Sequence, residues 1–431
     1  MTTFFKSTPF VKQVYFFISL AIFVFLSIPS FTLIEGVRIG QLFILITFML
    51  FIVDDILNRE LKFDILLYFF ISAVVMSLIS FNSTEIKFKE INFLVKYFLL
   101  FPAAYYVGAR VVKKMSLEKF ILMIEIVLFV YCLNAFIVEF VPLPQDLIDK
   151  IVSYRSGFGG SLYLDYQGTF LEAGWLALCV GGVLSISFLT RFQMNFWPKN
   201  MLVLYLLYGF SIITLGLSKN KTVWIALVVI LIILVLYKII LLLLYSNRYK
   251  PKYLENSHPV LKLLSSIDSF KVILSVLLFI VLFFIINSSL SDPIISEAMI
   301  LEKLEKERGK AFLIIMDLLK DSYMLGGYGF GFVEAYFTLK PQEILGLGEG
   351  SGMVFNSYLD IWLSVSIFGL IFHLGLIYIS SDSRYFITLV LPLYCFIFAN
   401  FNPAIGDEFY YLFLGVSFGI AKELTNRKVY E

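Results

Sequence analysis

Six ionisable side chains stand where they could do chemistry: the cations Arg155, Lys219, Lys221 and Arg308, and the carboxylates Glu172 and Glu349. Fixed cations stabilise charge that develops on a departing phosphate, and the planar fork of arginine grips phosphate oxygens two at a time. A carboxylate within reach of a hydroxyl can take its proton. Together these types suit transfer of a group away from a phosphate-bearing donor. Arg308 opens Arg308-Gly309-Lys310-Ala311-Phe312, where a charged helical pattern turns toward the membrane, a place suited to a diphosphate head group. Glu172 stands at the outer mouth of an apolar span, and ionisable residues at membrane depth are costly enough to be functional candidates. Lys219 and Lys221 share the turn Ser218-Lys219-Asn220-Lys221-Thr222. Arg155 lies in Tyr154-Arg155-Ser156-Gly157-Phe158-Gly159, and Glu349 in Gly346-Leu347-Gly348-Glu349-Gly350.

Each has a plainer reading. Glu172 can complement a helix dipole, and the lysines can snorkel from the interface. Most charges between 289 and 352 suit a solvated helix face. The run Gly326-Gly327-Tyr328-Gly329-Phe330-Gly331 resembles a phosphate cradle but fails as a nucleotide motif, since no Lys-Ser/Thr follows and no strand precedes it. It reads better as a sharp re-entry of the chain beside a substrate, glycine permitting close approach. Asp54-Asp55 resembles an acidic metal pair but falls on the cytoplasmic side. Asp407-Glu408 falls outside, beside Asn400 and Asn402, as a lesser candidate, and Lys96 is near enough to the outer surface to snorkel. His258 and His373 both fall away from the outer face, which argues against a histidine base or a histidine-ligated metal there. Cys132, Cys179 and Cys395 lie inside apolar spans and form neither a disulfide framework nor a metal motif.

The elements that must position these groups are membrane spans. The 431 residues are 60% hydrophobic and 15% charged, with mean hydropathy +0.89, whereas soluble domains carry about 25% charged residues. The net charge of +2 says little about partners. A span needs about 20 mostly apolar residues, which predicts twelve: 14–33, 39–57, 63–81, 91–109, 118–141, 171–190, 201–217, 222–245, 270–288, 353–380, 384–400 and 407–421. The fold expected is an all-α polytopic membrane protein forming a single domain over 1–431. The first span lacks a small-residue cleavage site behind it and stays as an anchor.

Lys and Arg favour short cytoplasmic loops. Arg59 with Lys62, Arg110 with Lys113, Lys114 and Lys119, Arg191 with Lys199, Arg248 with Lys250, Lys252 and Lys262, and the tail with Lys422, Arg427 and Lys428 all fall inside if both termini are cytoplasmic. The large connection 289–352 and the smaller 142–170 are then extracytoplasmic. In the large one, Asp292-Pro293 reads as an N-cap and first helical residue, and a helical pattern runs to about Met324, suited to lie on the outer leaflet.

In their order and sidedness these stretches resemble the bacterial Wzy-type O-antigen and capsule polymerase and O-antigen ligase superfamily. Arg155 with Gly168-Thr169-Phe170-Leu171-Glu172-Ala173 is similar to its Arg…Gly-x-Phe-x-Glu-Pro stretch, with Ala173 where proline is common. Leu217-Ser218-Lys219-Asn220-Lys221-Thr222 is similar to its Ser-x-Ser-Arg-Thr turn. Arg308 with Leu325-Gly326-Gly327-Tyr328-Gly329-Phe330 resembles its large-loop arginine and glycine re-entry, and Phe355-Asn356-Ser357-Tyr358-Leu359 its His-Asn-x-x-Leu element. The resemblance covers about 150–375. It implies a GT-C-like fold in the plasma membrane and metal-independent, inverting glycosyl transfer from an undecaprenyl-diphosphate-linked glycan, with no cofactor. Arg155, Lys219, Lys221, Arg308 and Asn356 would bind the substrate, and Glu172 or Glu349 would serve as base. The implied partners are membrane lipid and the chain-length regulator and flippase of the same pathway, not nucleic acid. The family's histidine falls at Phe355, which favours a polymerase over a ligase. A twelve-span transporter or lipid-glycan flippase, the rival from another class, predicts broken helices with charges at mid-depth.

Overall fold

The computed structural model describes residues 9–30, 32–34, 37–61, 63–81, 93–144, 146–148, 155–156, 162–163, 169–170, 173–194, 198, 201–218, 220, 222–230, 308–333, 336, 356–382, 385–401 and 404–430. Its helices are α1 (Pro9–Leu26), α2 (Ile39–Leu57), α3 (Phe63–Phe81), α4 (Phe101–Met115), α5 (Leu117–Phe140), α6 (Ala173–Met194), α7 (Met201–Leu217), α8 (222–230), α9 (Arg308–Asp321), α10 (Ser357–Ser380), α11 (Phe386–Phe401) and α12 (Glu408–Tyr430). Two short antiparallel ribbons interrupt the expected all-α order: β1 (Thr32–Ile34) with β2 (Val37–Arg38), and β3 (Arg155–Ser156) with β4 (Leu162–Tyr163).

Among the described residues four helices are long and apolar enough to cross a membrane: α2, α5, Gly174–Arg191 within α6, and α10. Phe10–Leu26, Asp64–Ser80, Met201–Leu217 and Ile387–Asn400 are shorter apolar helices. Helix is present at each expected span except 270–288, which lies outside the described residues together with 231–307 as a whole.

Three boundaries differ from expectation for physical reasons. The first span was expected at 14–33, yet α1 ends at Leu26. Pro29 lacks an amide hydrogen and disfavours helix at the residue before it. The fourth was expected at 91–109. It runs on to Met115 instead, through a π turn over Lys96–Leu100, so that α4 carries Arg110, Lys113 and Lys114 on its last turns. The last was expected to stop at 421, but α12 continues to Tyr430.

α4 and α12 form the centre. Every residue of α4 from Phe101 to Gly108 is buried, so this helix meets protein rather than lipid and can afford small and polar residues. Gly415-Val416-Ser417-Phe418-Gly419 faces it. A Cβ on Gly415 would overlap the Tyr105 carbonyl oxygen, one on Gly419 would come 2.6 Å from the Ala109 oxygen, and one on Gly108 would overlap the Leu412 oxygen. This is the small-residue contact by which membrane helices approach closely.

At one end of this pair lies a buried ion-pair knot. Asp55, fully buried, meets Arg110 at 2.6 Å and Lys114 at 2.7 Å and accepts from the Tyr106 hydroxyl. Asp54 pairs with Lys114, and Lys113 reaches Glu60 at 2.6 Å. With both carboxylates spent on cations, the acidic pair of the sequence is a clasp between α2 and α4 rather than a metal site. Among the described residues, Asp55→Ala takes the only carboxylate partner from Arg110 and leaves Lys114 with Asp54 alone, and breaking a buried pair in this way typically costs about 3–5 kcal/mol. Thermal unfolding in detergent should therefore drop clearly for D55A and much less for D55N with K114Q together.

Candidate functional site

At the opposite end, polar groups from three parts of the chain converge on the loop 404–408 joining α11 to α12. The β1–β2 ribbon sets Arg38 directly before α2, and its guanidinium stands 3.7 Å from Asp407. One turn on, Gln41 donates at 2.6 Å to buried Glu408. Lys96, on the π turn, donates to the Gly406 carbonyl at 3.3 Å. Ile405 donates to the Ser357 hydroxyl at 3.4 Å, bringing in the start of α10. There Asn356 caps the helix, accepting from the amides of Tyr358 (3.0 Å) and Leu359 (3.1 Å), while its own amide donates to Asn400 at 3.2 Å. A second approach comes from Thr169-Phe170. Asn134 and Thr169 exchange two hydrogen bonds of 2.9 Å, and Phe170 packs edge-on to Tyr131 and 6.4 Å from Phe409, the residue after Glu408.

The glycine-rich stretch lies against the same half of the molecule. α10 is not continuous: Val365 (φ −121°, ψ 19°) and Ser366 (φ 71°, ψ 178°) leave helical geometry. The break frees backbone groups that hydrocarbon would leave unsatisfied at several kcal/mol each. Leu325–Gly329 supplies their partners. The amides of Gly327 and Tyr328 donate to Leu363 O at 2.8 and 3.0 Å, that of Gly329 to Ser364 O at 2.7 Å, and Ile367 donates to Leu325 O at 3.1 Å. Glycine is needed here, since Gly326, Gly327, Gly329 and Gly331 all have φ between +69° and +99°, a region that L side chains avoid. Gly326 donates to Ser322 Oγ at 3.0 Å and Phe330 to Ser80 Oγ at 3.1 Å. Five successive amides, Gly326 to Phe330, are thus spent within the protein. The close approach expected of these glycines is to a broken helix, and they offer no amide nest for a phosphate. The Phe330 ring stacks on Phe93 at 5.2 Å and lies 5.4 Å from Tyr97, beside Lys96.

α9 leads into this segment. Its buried Ile315 and Leu319 pack with Val333 and Leu363, and Phe312, Leu313, Met324 and Leu325 remain exposed. It ends at Asp321, short of the expected Met324, because Tyr323 and Met324 take positive φ and the Met324 amide turns back to Leu319 O at 2.6 Å. The exposed Asp317–Lys320 pair is of the surface kind that adds little.

Of the residues singled out in the sequence, Asn356 is in the convergence. Arg308 is the first residue of α9, and Arg155 pairs with Tyr163 across the β3–β4 ribbon; their side chains lie outside the described part. Glu172, Lys219, Lys221 and Glu349 also lie outside the described residues, although α6 begins one residue after Glu172. Between the two lysines, Asn220 accepts from Thr222 and Val223 at 3.1 and 3.3 Å and so opens α8. Arg38 and Gln41 escaped the sequence reading. The signal was available, because Arg38 falls in a connection expected on the outside, the same exception to the charge bias that drew notice to Lys219 and Lys221. Among the described residues no group of three or more His, Cys, Asp or Glu is placed to hold a metal ion. No protein-family model matches this chain, and no curated protein matches its sequence.

Proposed function

We propose that this protein is a polymerase of undecaprenyl-diphosphate-linked oligosaccharide repeat units, of O-antigen or capsule type. In this reading about twelve spans hold it in the bacterial plasma membrane with both termini inside. It works on the outer face by inverting glycosyl transfer. Arg155, Lys219, Lys221 and Arg308 bind the diphosphate, Asn356 the substrate, and a carboxylate such as Glu172 or Glu349 takes the acceptor proton. The observation that carries the reading is a convergence: Ser357 accepts from Ile405, Phe170 lies 6.4 Å from Phe409 at the start of α12, and Phe330 of the glycine stretch lies 5.4 Å from Tyr97, next to Lys96, which donates to Gly406. Three stretches that resembled one family by order alone are neighbours in space.

The break in α10 lends some support to the transporter or flippase reading, since transporters build sites at interrupted helices. Against it, the freed groups here are occupied by Leu325–Gly329 and are not open to a solute. An O-antigen ligase is the other alternative. A deletion strain separates the three. Surface glycan of a single repeat unit is the expected result. Full-length chains stranded on the carrier would indicate a ligase, and lipid-linked units confined to the inner leaflet a flippase. Charge-removing changes at Arg155 and Arg308 are expected to abolish polymer with the protein still in the membrane; normal chain lengths in both would overturn those roles.

A further inference from the structure

The convergence around 404–408 contains a carboxylate with the placement a proton acceptor needs. Asp407 Oδ1 accepts from the Phe409 amide at 2.9 Å, which fixes the group at the start of α12. Its Oδ2 faces Arg38 across 3.7 Å, beyond direct hydrogen-bond contact. Next to it Gly406 is exposed, and nothing stands within 4 Å of where a side chain on Gly406 would begin. Two cations stand close by, Arg38 at 3.7 Å from Asp407 and Lys96 at 3.3 Å from the Gly406 carbonyl oxygen. Both carboxylates are buried, Asp407 at 8% exposure and Glu408 at 1%, and Glu408 is held by Gln41 at 2.6 Å. The charged and titratable groups around Asp407 are Arg38, Lys96 and Glu408, with Tyr131 of α5 and Cys179 of α6 beneath. A carboxylate oxygen is a group that accepts a hydrogen bond from a hydroxyl.

We propose that Asp407, in place of Glu172 or Glu349, is the catalytic base, its Oδ2 accepting the proton of the acceptor sugar hydroxyl beside Gly406. This rests on the polymerase reading. In the step, the hydroxyl O–H bond breaks and its proton passes to Asp407. The oxygen's electron pair forms the new bond at the anomeric carbon, on the face opposite the leaving group. The bond from that carbon to the diphosphate oxygen breaks, and its electrons leave with the diphosphate. Inversion follows from that geometry, and no oxidant or further reactant is needed.

The test uses the full chain in phosphatidylethanolamine–phosphatidylglycerol vesicles supplied with lipid-linked repeat units. Asp407→Asn keeps the cap on Phe409 and should lower kcat about 10²- to 10⁴-fold with KM little changed. Asp407→Glu should keep part of the activity, with a displaced acid limb of the pH profile. Asp407→Gly, tolerated at a helix start, should regain transfer when formate is added. Wild-type kcat in D407N, or a D407G protein that formate does not revive, would overturn the assignment. If the unaltered protein joins no repeat units at all, it is the polymerase reading that fails.

Discussion

Gly326→Ala is expected to remove most of the folded protein from the membrane. The left-handed backbone itself costs an alanine only about 1–2 kcal/mol. The larger effect is steric, because the new methyl would overlap the carbonyl oxygen of Trp362 in α10. The loop must then withdraw, and with it go the bonds from Gly327, Tyr328 and Gly329 to Leu363 and Ser364. Each buried backbone group left without a partner costs about 1–3 kcal/mol, so the sum approaches the roughly 5–15 kcal/mol by which whole domains are stable. Gly327→Ala is the informative comparison. It has φ +94°, but its methyl would meet no backbone within 4 Å, only the side chains of Ile79 at 3.2 Å and Ser366 at 3.7 Å. Recovery of monodisperse protein from detergent extracts should fall at least tenfold for G326A and mildly for G327A. Equal yields would show that the loop does not seat in the helix break.

Gly415→Leu should be nearly as damaging by a different route. A Cβ at this position would already overlap the Tyr105 carbonyl, and Ala109 N stands only 3.0 Å away. No rotamer of leucine escapes a clash that begins at Cβ, so α12 must move off α4 and the whole centre loosens. Overpacking usually costs about 1–3 kcal/mol; here it exceeds that, since the obstruction is backbone and cannot repack. Gly209 on α7 supplies the control, with nothing within 4 Å of its would-be Cβ. Thermal unfolding followed by tryptophan fluorescence should shift strongly downward in G415L and hardly at all in G209L. Similar shifts in the two would mean that α4 and α12 are not in close contact.

Hydropathy made the helices legible because burial in lipid or in protein leaves the same apolar record. It misjudged where they end. Apolar residues continue past Leu26 into Ile28, and only Pro29 stops the helix; Arg110 and Lys114 read as a loop because they are charged, although they sit on α4 paired to Asp54 and Asp55. The glycine run was recognised as a re-entry from residue type alone. Its partner was hidden, because nothing in Leu363-Ser364-Val365-Ser366 announces a helix break. The site was legible in fragments. Asn356 and the residues before Glu172 were noticed by resemblance, yet Arg38 and Lys96 gain meaning only when loops distant in sequence meet at 404–408. Spacing along a chain cannot report that meeting.

The joint between the glycine segment and α10 also bears on biogenesis. A span interrupted in its middle is a poor candidate for insertion as an independent helix, since the freed carbonyls of Leu363 and Ser364 have no lipid partner. The residues that satisfy them, Leu325–Gly329, are synthesised earlier and are already present when the span emerges from the ribosome. The chain therefore carries, ahead of this interrupted helix, the residues that satisfy its freed carbonyls, and the order of synthesis brings them out first.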